Sequence, residues 1–213
     1  MHFLTEKLWF PPVSDAEEDG LLAVGGDLST ERLVLAYASG VFPWYSEGQP
    51  ILWWSPNPRM VLFPEKLKVS KSFRKTILSE KFTITFNTSF ADVISNCAKI
   101  KRDGQQGTWI TSDMKNAYIN LHKQGVAISV EVWQDKQLVG GLYGIDLPQR
   151  KVFCGESMFT KVSDASKVGF YHLVQLLKKK RYRLIDCQVY SKHMESLGAE
   201  EISRQQFLQH LNC

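Results

Sequence analysis

Residues 127–159, AISVEVWQDKQLVGGLYGIDLPQRKVFCGESMF, decide the fold class. Three strand-like runs, 127–133, 138–145 and 152–159, are rich in Val, Ile, Leu and Phe, and only the short polar links 134–137 and 146–150 separate them. Apolar runs joined by such short links predict an antiparallel meander. The period then changes. Asp164 is placed to cap a helix, and Phe170, Leu173, Val174 and Leu177 fall at the i, i+3, i+4 and i+7 positions of one helical face. Residues 184–190 return to a strand pattern. A meander, a helix and a further strand predict a mixed α+β domain.

Upstream of the meander, residues 82–86 (FTITF) alternate strictly and read as a half-buried strand. Helices are expected over about 70–78 and 112–123, and also behind Thr88 or Ser89, where Phe90, Val93, Ile94 and Cys97 share a face. The helix over 112–123 would bury Met114, Ala117, Tyr118 and Leu121. Ser203 and Gln206 have capping-box spacing for a last helix containing Phe207 and Leu211. The amino-terminal portion reads as turns around one helix, capped by Ser29 or Thr30 and ended by Gly40. An aromatic stretch follows, with Phe42, Trp44, Tyr45, Trp53 and Trp54 close together. It suits a small second core or a platform for a ligand ring or base, and both uses can hold for different members.

Composition narrows the class. The 213 residues are 44% hydrophobic and 23% charged, which suits one large domain or a domain with a smaller companion and excludes a disordered or collagen-like chain. No run of 18 apolar residues occurs, so no membrane-spanning helix is expected, and the first ten residues lack the pattern of a secretion signal. Four scattered cysteines without a CxxC pair read as free thiols in a reducing cytoplasm. The formal charge of +4 hides an asymmetry. Through Glu31 the chain holds seven acids against one base, so the rest is a basic body. Such a body attracts polyanions, nucleic acid foremost, although a solvated lysine-rich surface gives the same sign.

The metal and phosphate-loop motifs HExxH, GxxxxGK[ST] and strand–GxGxxG–helix are missing, and the five histidines have no metal-site spacing. Chemistry is therefore sought in polar intrusions. Asp186 and Gln188 interrupt the apolar run 184–190. Strand alternation puts them on one face, opposite Ile185, Cys187 and Val189. On a covered face the pair would form a dyad, with Asp186 accepting from the Gln188 amide nitrogen and the amide oxygen left for a substrate N–H; on a solvated face it would be ordinary surface. Glu156 intrudes into the aromatic run 152–159 next to Gly155, as a site acid or as an edge charge. Trp109, in GTWI at 107–110, stands at a turn before a helix.

Together these segments carry a resemblance. GLLAVGGDLS (20–29), GVFPWYS (40–46), ILWWSPNPR (51–59), GTWI, VEVW (130–133), LVGGLYG (138–144), FCGESMF (153–159), ASK (165–167) and LIDCQ (184–188) follow the order and spacing of one family. Over about residues 20 to 212 the chain resembles the bacterial leucyl/phenylalanyl-tRNA–protein transferases. The resemblance implies an enzyme moving Leu or Phe, and Met less well, from aminoacyl-tRNA to proteins beginning with Arg or Lys, which are then degraded by the N-degron (N-end rule) route. It implies a GNAT-like acyltransferase domain over 62–213, a small amino-terminal α/β domain over 1–61 completing the active-site wall, and no cofactor or metal. Its catalytic pair falls on Asp186 and Gln188, with Glu156 as the acid of the peptide site. Trp44 and Trp109 match tryptophans near the tRNA 3′-adenosine. The side-chain pocket maps onto Trp109, Tyr118, Leu142, Phe153, Met158, Phe170 and Leu173.

Two basic runs suit tRNA phosphates: Arg59, Lys66, Lys68, Lys71, Arg74 and Lys75, then 178–181 with Arg183. The lysines of the second run also suit a helix carboxyl end, and Ser166 and Lys167 could meet the terminal phosphate. A monomer without membrane contact is the expected state. The alternatives are a non-catalytic RNA-binding module, a coenzyme-A-dependent N-acetyltransferase, whose glycine-rich pyrophosphate turn is missing from 162–167, and a transferase loading amino acids onto cell-wall precursors, whose motifs differ.

Overall fold

The computed structural model describes residues 1–100 and 108–212; Gly107 of the GTWI string and Cys213 lie outside them. In chain order the strands are β1 (His2–Leu4), β2 (Leu21–Gly25), β3 (Phe42–Pro43), β4 (Leu52–Trp54), β5 (Arg59–Leu62), β6 (Thr83–Phe86), β7 (Ala127–Gln134), β8 (Gln137–Leu147), β9 (Val152–Thr160), β10 (Leu184–Gln188) and β11 (Glu200–Ile202). The α-helices are α1 (Thr30–Ala38), α2 (Lys71–Leu78), α3 (Phe90–Lys99), α4 (Ser112–Lys123), α5 (Ala165–Lys179), α6 (Lys192–Ser196) and α7 (Arg204–Asn212). They build two mixed sheets, of order β1-β2-β4-β3 and β11-β5-β10-β9-β8-β7-β6. The α+β expectation holds, as does the antiparallel meander β7–β8–β9. After the meander, α5 crosses over and β10 returns parallel to β9.

The helix ends follow local chemistry. Ser29, Ser70 and Thr111 accept the backbone N–H three residues on, at 3.3, 3.1 and 3.2 Å, and so start α1, α2 and α4. Ser203 and Gln206 form the reciprocal box before α7, with bonds of 3.0 and 3.2 Å. Asp164 departs from its expected role. It precedes α5 in a left-handed conformation (φ 65°), and its carboxylate bonds Lys167 Nζ at 3.1 Å and Thr76 at 3.4 Å rather than a helix N–H.

Alternation along β8 divides the core. Leu142 packs with Phe170, Leu173 and Val174 of α5, while Tyr143 and Ile145 pack with α3, α4 and the amino-terminal sheet. The large sheet is thus covered on both faces. The aromatic stretch splits in the same way. Trp53 is fully buried, donates its indole N–H to the Gly25 carbonyl at 2.8 Å and meets Phe10 edge-on, so it is core. Trp44 is only half-buried and packs against Trp54, whose indole N–H bonds the Trp44 carbonyl at 2.7 Å. The expected division between 61 and 62 falls inside β5, a strand of the large sheet. Among the described residues no helix is long and apolar enough to cross a membrane.

Candidate active site

The parallel strands β9 and β10 pair only at Leu184↔Val152, Ile185↔Phe153 and Asp186↔Cys154. Beyond that they part, and each is bulged where it does so. On β9 the register with β8 jumps from Gly144↔Gly155 to Tyr143↔Ser157, leaving Glu156 as the extra residue. Gly144 makes this possible, because a Cβ there would lie 2.2 Å from the Cys154 carbonyl oxygen. On β10 the register with β5 jumps from Asp186↔Val61 to Gln188↔Met60, and Cys187 is the extra residue. Two bulges at the open end of a parallel pair turn polar side chains into the gap.

The expected Asp186–Gln188 dyad is corrected here. Alternation fails at the bulge: Gln188 has φ 66° and the Val189 N–H bonds the Cys187 carbonyl at 2.9 Å, a γ-turn centred on Gln188. Ile185, Cys187 and Gln188 therefore all line the gap, while Asp186 points the other way. Its carboxylate is fully buried and held by Arg59, with Nε to Oδ1 at 2.8 Å and Nη2 to Oδ2 at 2.7 Å. The Arg59 guanidinium lies between the rings of Phe42 and Phe207, at 4.8 and 4.6 Å from their centroids. Asp186 Oδ1 also accepts the Gln188 backbone N–H at 2.9 Å. Asp186 thus holds the Gln188 backbone in its left-handed turn, and the side-chain amide goes elsewhere: Gln188 Nε2 donates to Glu156 Oε1 at 2.8 Å.

Glu156 also accepts the Tyr118 hydroxyl on Oε2 at 3.1 Å, and Tyr118 hydrogen-bonds Tyr37. Burial pushes the Glu156 carboxyl up from 4.5 to about 7 and the nearby Asp186 charge adds to the rise, against the opposing pull of the Tyr37 and Tyr118 hydroxyls and the Gln188 amide. Burial likewise raises the Cys187 and Cys154 thiols, which leaves them protonated and unreactive at neutral pH.

Between the parted strands lies a cavity of about 340 Å³. Its apolar walls include Trp44, Trp109, Leu142, Phe153, Met158 and Phe170, six of the positions expected to bind substrate. Tyr118 and Leu173 stand behind that wall, fully buried; Tyr118 reaches the site through its hydroxyl on Glu156. Phe42, named in the aromatic stretch but given no pocket position, also lines the cavity, as does His193, which the sequence reading missed. His193, at the α6 rim, is held below its ordinary pKa by burial and by Lys167. A strand position in an aromatic stretch was the available signal for Phe42; a lone histidine gave none.

The basic runs also divide. Arg59 is 1% exposed and committed to Asp186, so it is not a phosphate contact. Lys66, Lys68, Lys71, Arg74 and Lys75 are exposed, although Lys66 pairs with Glu200. They lie on a loop and helix beside the cavity: the Lys68 N–H bonds the Leu197 carbonyl just after α6 at 2.9 Å, and Phe73 packs edge-on against Tyr171 of α5. In the second run, Lys178 pairs with Glu65 at 2.6 Å and Arg183 donates to the Arg150 carbonyl at 2.7 Å. Ser166 is buried, and Lys167 pairs with Asp164.

Residues 61–212 match the family described as leucyl/phenylalanyl-tRNA protein transferase, and residues 26–57 match the N-terminal domain of that family. The chain is 61% identical to the leucyl/phenylalanyl-tRNA–protein transferase of Flavobacterium johnsoniae over 98% of its length and 97% of that protein's. It is 59% identical to that of Christiangramia forsetii over 99% and 100%, and 54% identical to that of Pseudomonas aeruginosa over 95% and 89%. Similar solved structures include L-PGS from Bacillus licheniformis (TM-score 0.44, 11% identity, 80% of this chain and 54% of that one). Another is a GCN5-related N-acetyltransferase from Kribbella flavida (TM-score 0.39, 10% identity, 85% and 63%).

Proposed function

The chain belongs to the leucyl/phenylalanyl-tRNA–protein transferase family, an enzyme family moving an amino acid from aminoacyl-tRNA to a protein, and from that premise we propose how its cavity works. The esterified Leu, Phe or Met side chain occupies the apolar space between β9 and β10, and the tRNA 3′-adenosine lies against Trp44 and Trp109. The acceptor is a protein beginning with Arg or Lys, whose ammonium approaches Glu156 and Gln188. The observation that carries this reading is the Gln188 side chain, turned by its γ-turn into an oily cavity and fixed by its amide nitrogen on Glu156, 2.8 Å away.

The chemistry asks little of a base. An aminoacyl ester is already activated, so orientation supplies much of the acceleration. The acceptor α-amine has an ordinary pKa of about 7.7–8.0, so a fraction of it is neutral at neutral pH. The amide oxygen of Gln188 accepts one amine N–H and aims the nitrogen lone pair at the ester carbonyl. A C–N bond forms, the ester C–O bond breaks, and the amine proton leaves to the departing ribose oxygen. Asp186 acts by holding the Gln188 backbone rather than by relaying a proton. Glu156 presents carboxylate charge to the acceptor's ammonium, or to its arginine or lysine side chain.

The five exposed bases from Lys66 to Lys75 receive acceptor-stem phosphates, since they flank the cavity at α5 and α6. We place the boundary of the small amino-terminal part before Arg59, with Phe42, Pro43 and Trp44 as its contribution to the cavity wall. A monomer working in the cytoplasm, where charged tRNA is found, and marking its acceptors for degradation completes the reading. Labelled Leu-tRNA mixed with peptides beginning with Arg or Ala is the test. Transfer to the first alone is expected, and equal labelling of both would refute the acceptor assignment.

A further inference from the structure

The polar groups at the cavity floor form one line of donors ending on a carboxylate. Tyr37 comes from α1 in the amino-terminal part and Tyr118 from α4, and they are 2% and 0% exposed. Tyr37 bonds Tyr118, Tyr118 bonds Glu156 Oε2 at 3.1 Å, and Gln188 Nε2 bonds Glu156 Oε1 at 2.8 Å. Proton counting fixes the direction. Each tyrosine hydroxyl has one proton, and the oxygens of an ionised carboxylate only accept. Tyr118 gives its proton to Oε2, so Tyr37 must donate to the Tyr118 oxygen. Gln188 must turn its NH2 to Oε1, which leaves its carbonyl oxygen on the branch away from Glu156.

A proton on Glu156 Oε1 removes that requirement. The acid then donates, the amide rotates to offer its carbonyl, and the NH2 takes the place from which the oxygen would have received the amine. An amide nitrogen has no lone pair for an N–H, so the flipped state cannot aim the nucleophile.

We propose that Tyr37 and Tyr118 are positioning residues whose hydroxyls, donating in series toward Glu156, hold the Gln188 amide with its oxygen toward the acceptor amine, so that the amino-terminal part sets the geometry of transfer. The inference rests on the role given to Gln188 above. Other groups face Glu156 as well. Tyr143 of β8 meets Tyr118 edge-on at 5.8 Å, Cys154 lies on β9 with Glu156, and β10 presents Cys187 and Asp186, whose charge, though paired with Arg59 of β5, adds to the rise at Glu156. His193 and, behind it, Lys167 stand at the α6 rim. Burial dominates the carboxyl, while Tyr37, Tyr118 and Gln188 each pull its pKa down toward about 7. Loss of either hydroxyl therefore raises it.

The test is a carboxyl-carbon NMR titration of Glu156 in the wild type, Tyr37→Phe and Tyr118→Phe, beside single-turnover transfer to an Arg-initiated peptide across neutral pH. We expect the midpoint to rise by about one pH unit in each variant. The acidic limb of the rate should rise with it. The limb of the acceptor amine stays in place, because it belongs to the peptide. An unmoved midpoint and limb in both variants overturn the proposal. If the variants do not fold, the wild-type Gln188 side-chain amide resonances decide: they must change with the Glu156 midpoint, and an amide blind to that titration overturns it equally. A wild type that transfers nothing would instead sink the functional reading, since the titrations need no turnover.

Discussion

Replacing Glu156 by Gln tests the electrostatics of the site without any substrate. In the folded chain the carboxyl titrates at about 7 rather than 4.5, because burial penalises its charge. The sign follows from proton binding. Between those values the folded state holds a proton that the unfolded state has released, so stability falls as pH rises through this window. Below 4.5 both states are protonated and nothing is lost; above about 7 both are ionised and the whole cost is present. At 1.36 kcal/mol per pH unit the full interval corresponds to about 3 kcal/mol, and the partial exposure of Glu156 reduces it to about 2–3 kcal/mol. Glu156→Gln carries no charge at any of these pH values, so it loses the slope. Urea unfolding of both proteins at a series of pH values measures it. The variant should gain about 2–3 kcal/mol relative to the wild type between the acid and neutral ends, whatever constant offset its altered hydrogen bonds introduce. His172 and His193, both held below their ordinary pKa by burial, bend each curve in the opposite sense, and that contribution cancels in the difference. Parallel curves would refute the assignment of a buried, high-pKa carboxyl.

Other perturbations separate the parts of the site. Arg59→Leu strands the buried Asp186 carboxylate and should cost about 3–5 kcal/mol in urea unfolding, with much of it recovered in Arg59→Leu/Asp186→Leu; equal destabilisation in both would show that the ion pair is not the cause. Leu142→Phe narrows the cavity and should turn the ratio of kcat/KM values against the larger donor side chain by roughly 10–200-fold; an unchanged ratio would place the donor elsewhere. Reversing the charge at Lys68, Lys71 and Arg74 should weaken aminoacyl-tRNA binding and flatten the slope of log affinity against log salt by about 0.9 for each phosphate no longer neutralised. It should leave transfer from an aminoacyl-adenosine, which has no acceptor stem, at the wild-type rate. An equal fall in rate with both donors would argue against a role in holding phosphates.

The architecture was readable where one local rule acted alone. The meander, the face of α5 and the capping serines of α1 and α7 each follow from period or cap chemistry within a few residues. The residues of the candidate site were also identifiable, since Asp186, Gln188 and Glu156 are the polar intrusions into apolar strands. Their geometry was not, for two physical reasons. Alternation assumes regular strands, and here both bear bulges at the residues in question, so Gln188 faces the cavity while Asp186 faces away. A bulge in β9 needs a glycine across from it on β8, which a reading of β9 by itself does not reveal. The second reason is distance along the chain. Arg59 read as one more base beside Lys66, yet its partner lies 127 positions away, and only the pairing of β5 with β10 brings the two charges together. Tyr37 was hidden in the same way, as an aromatic on a core-facing helix whose hydroxyl meets a residue 81 positions on.

These long-range contacts share one feature: each fixes the Gln188 backbone or side-chain amide on which the proposed transfer depends. A left-handed non-glycine residue costs on the order of 1–3 kcal/mol, and Gln188 adopts one at φ 66°. The Arg59–Asp186 pair, clamped between Phe42 of the small sheet and Phe207 of α7, secures that turn through the Asp186 oxygen on the Gln188 N–H. Folding of the chain's two ends around Arg59 is thus what makes the strained turn stable, and the turn is what delivers Gln188 to the cavity. Packing at Phe42 or Phe207 should accordingly govern kcat through the placement of Gln188, although neither ring belongs to the hydrogen-bonded chain that ends on Glu156.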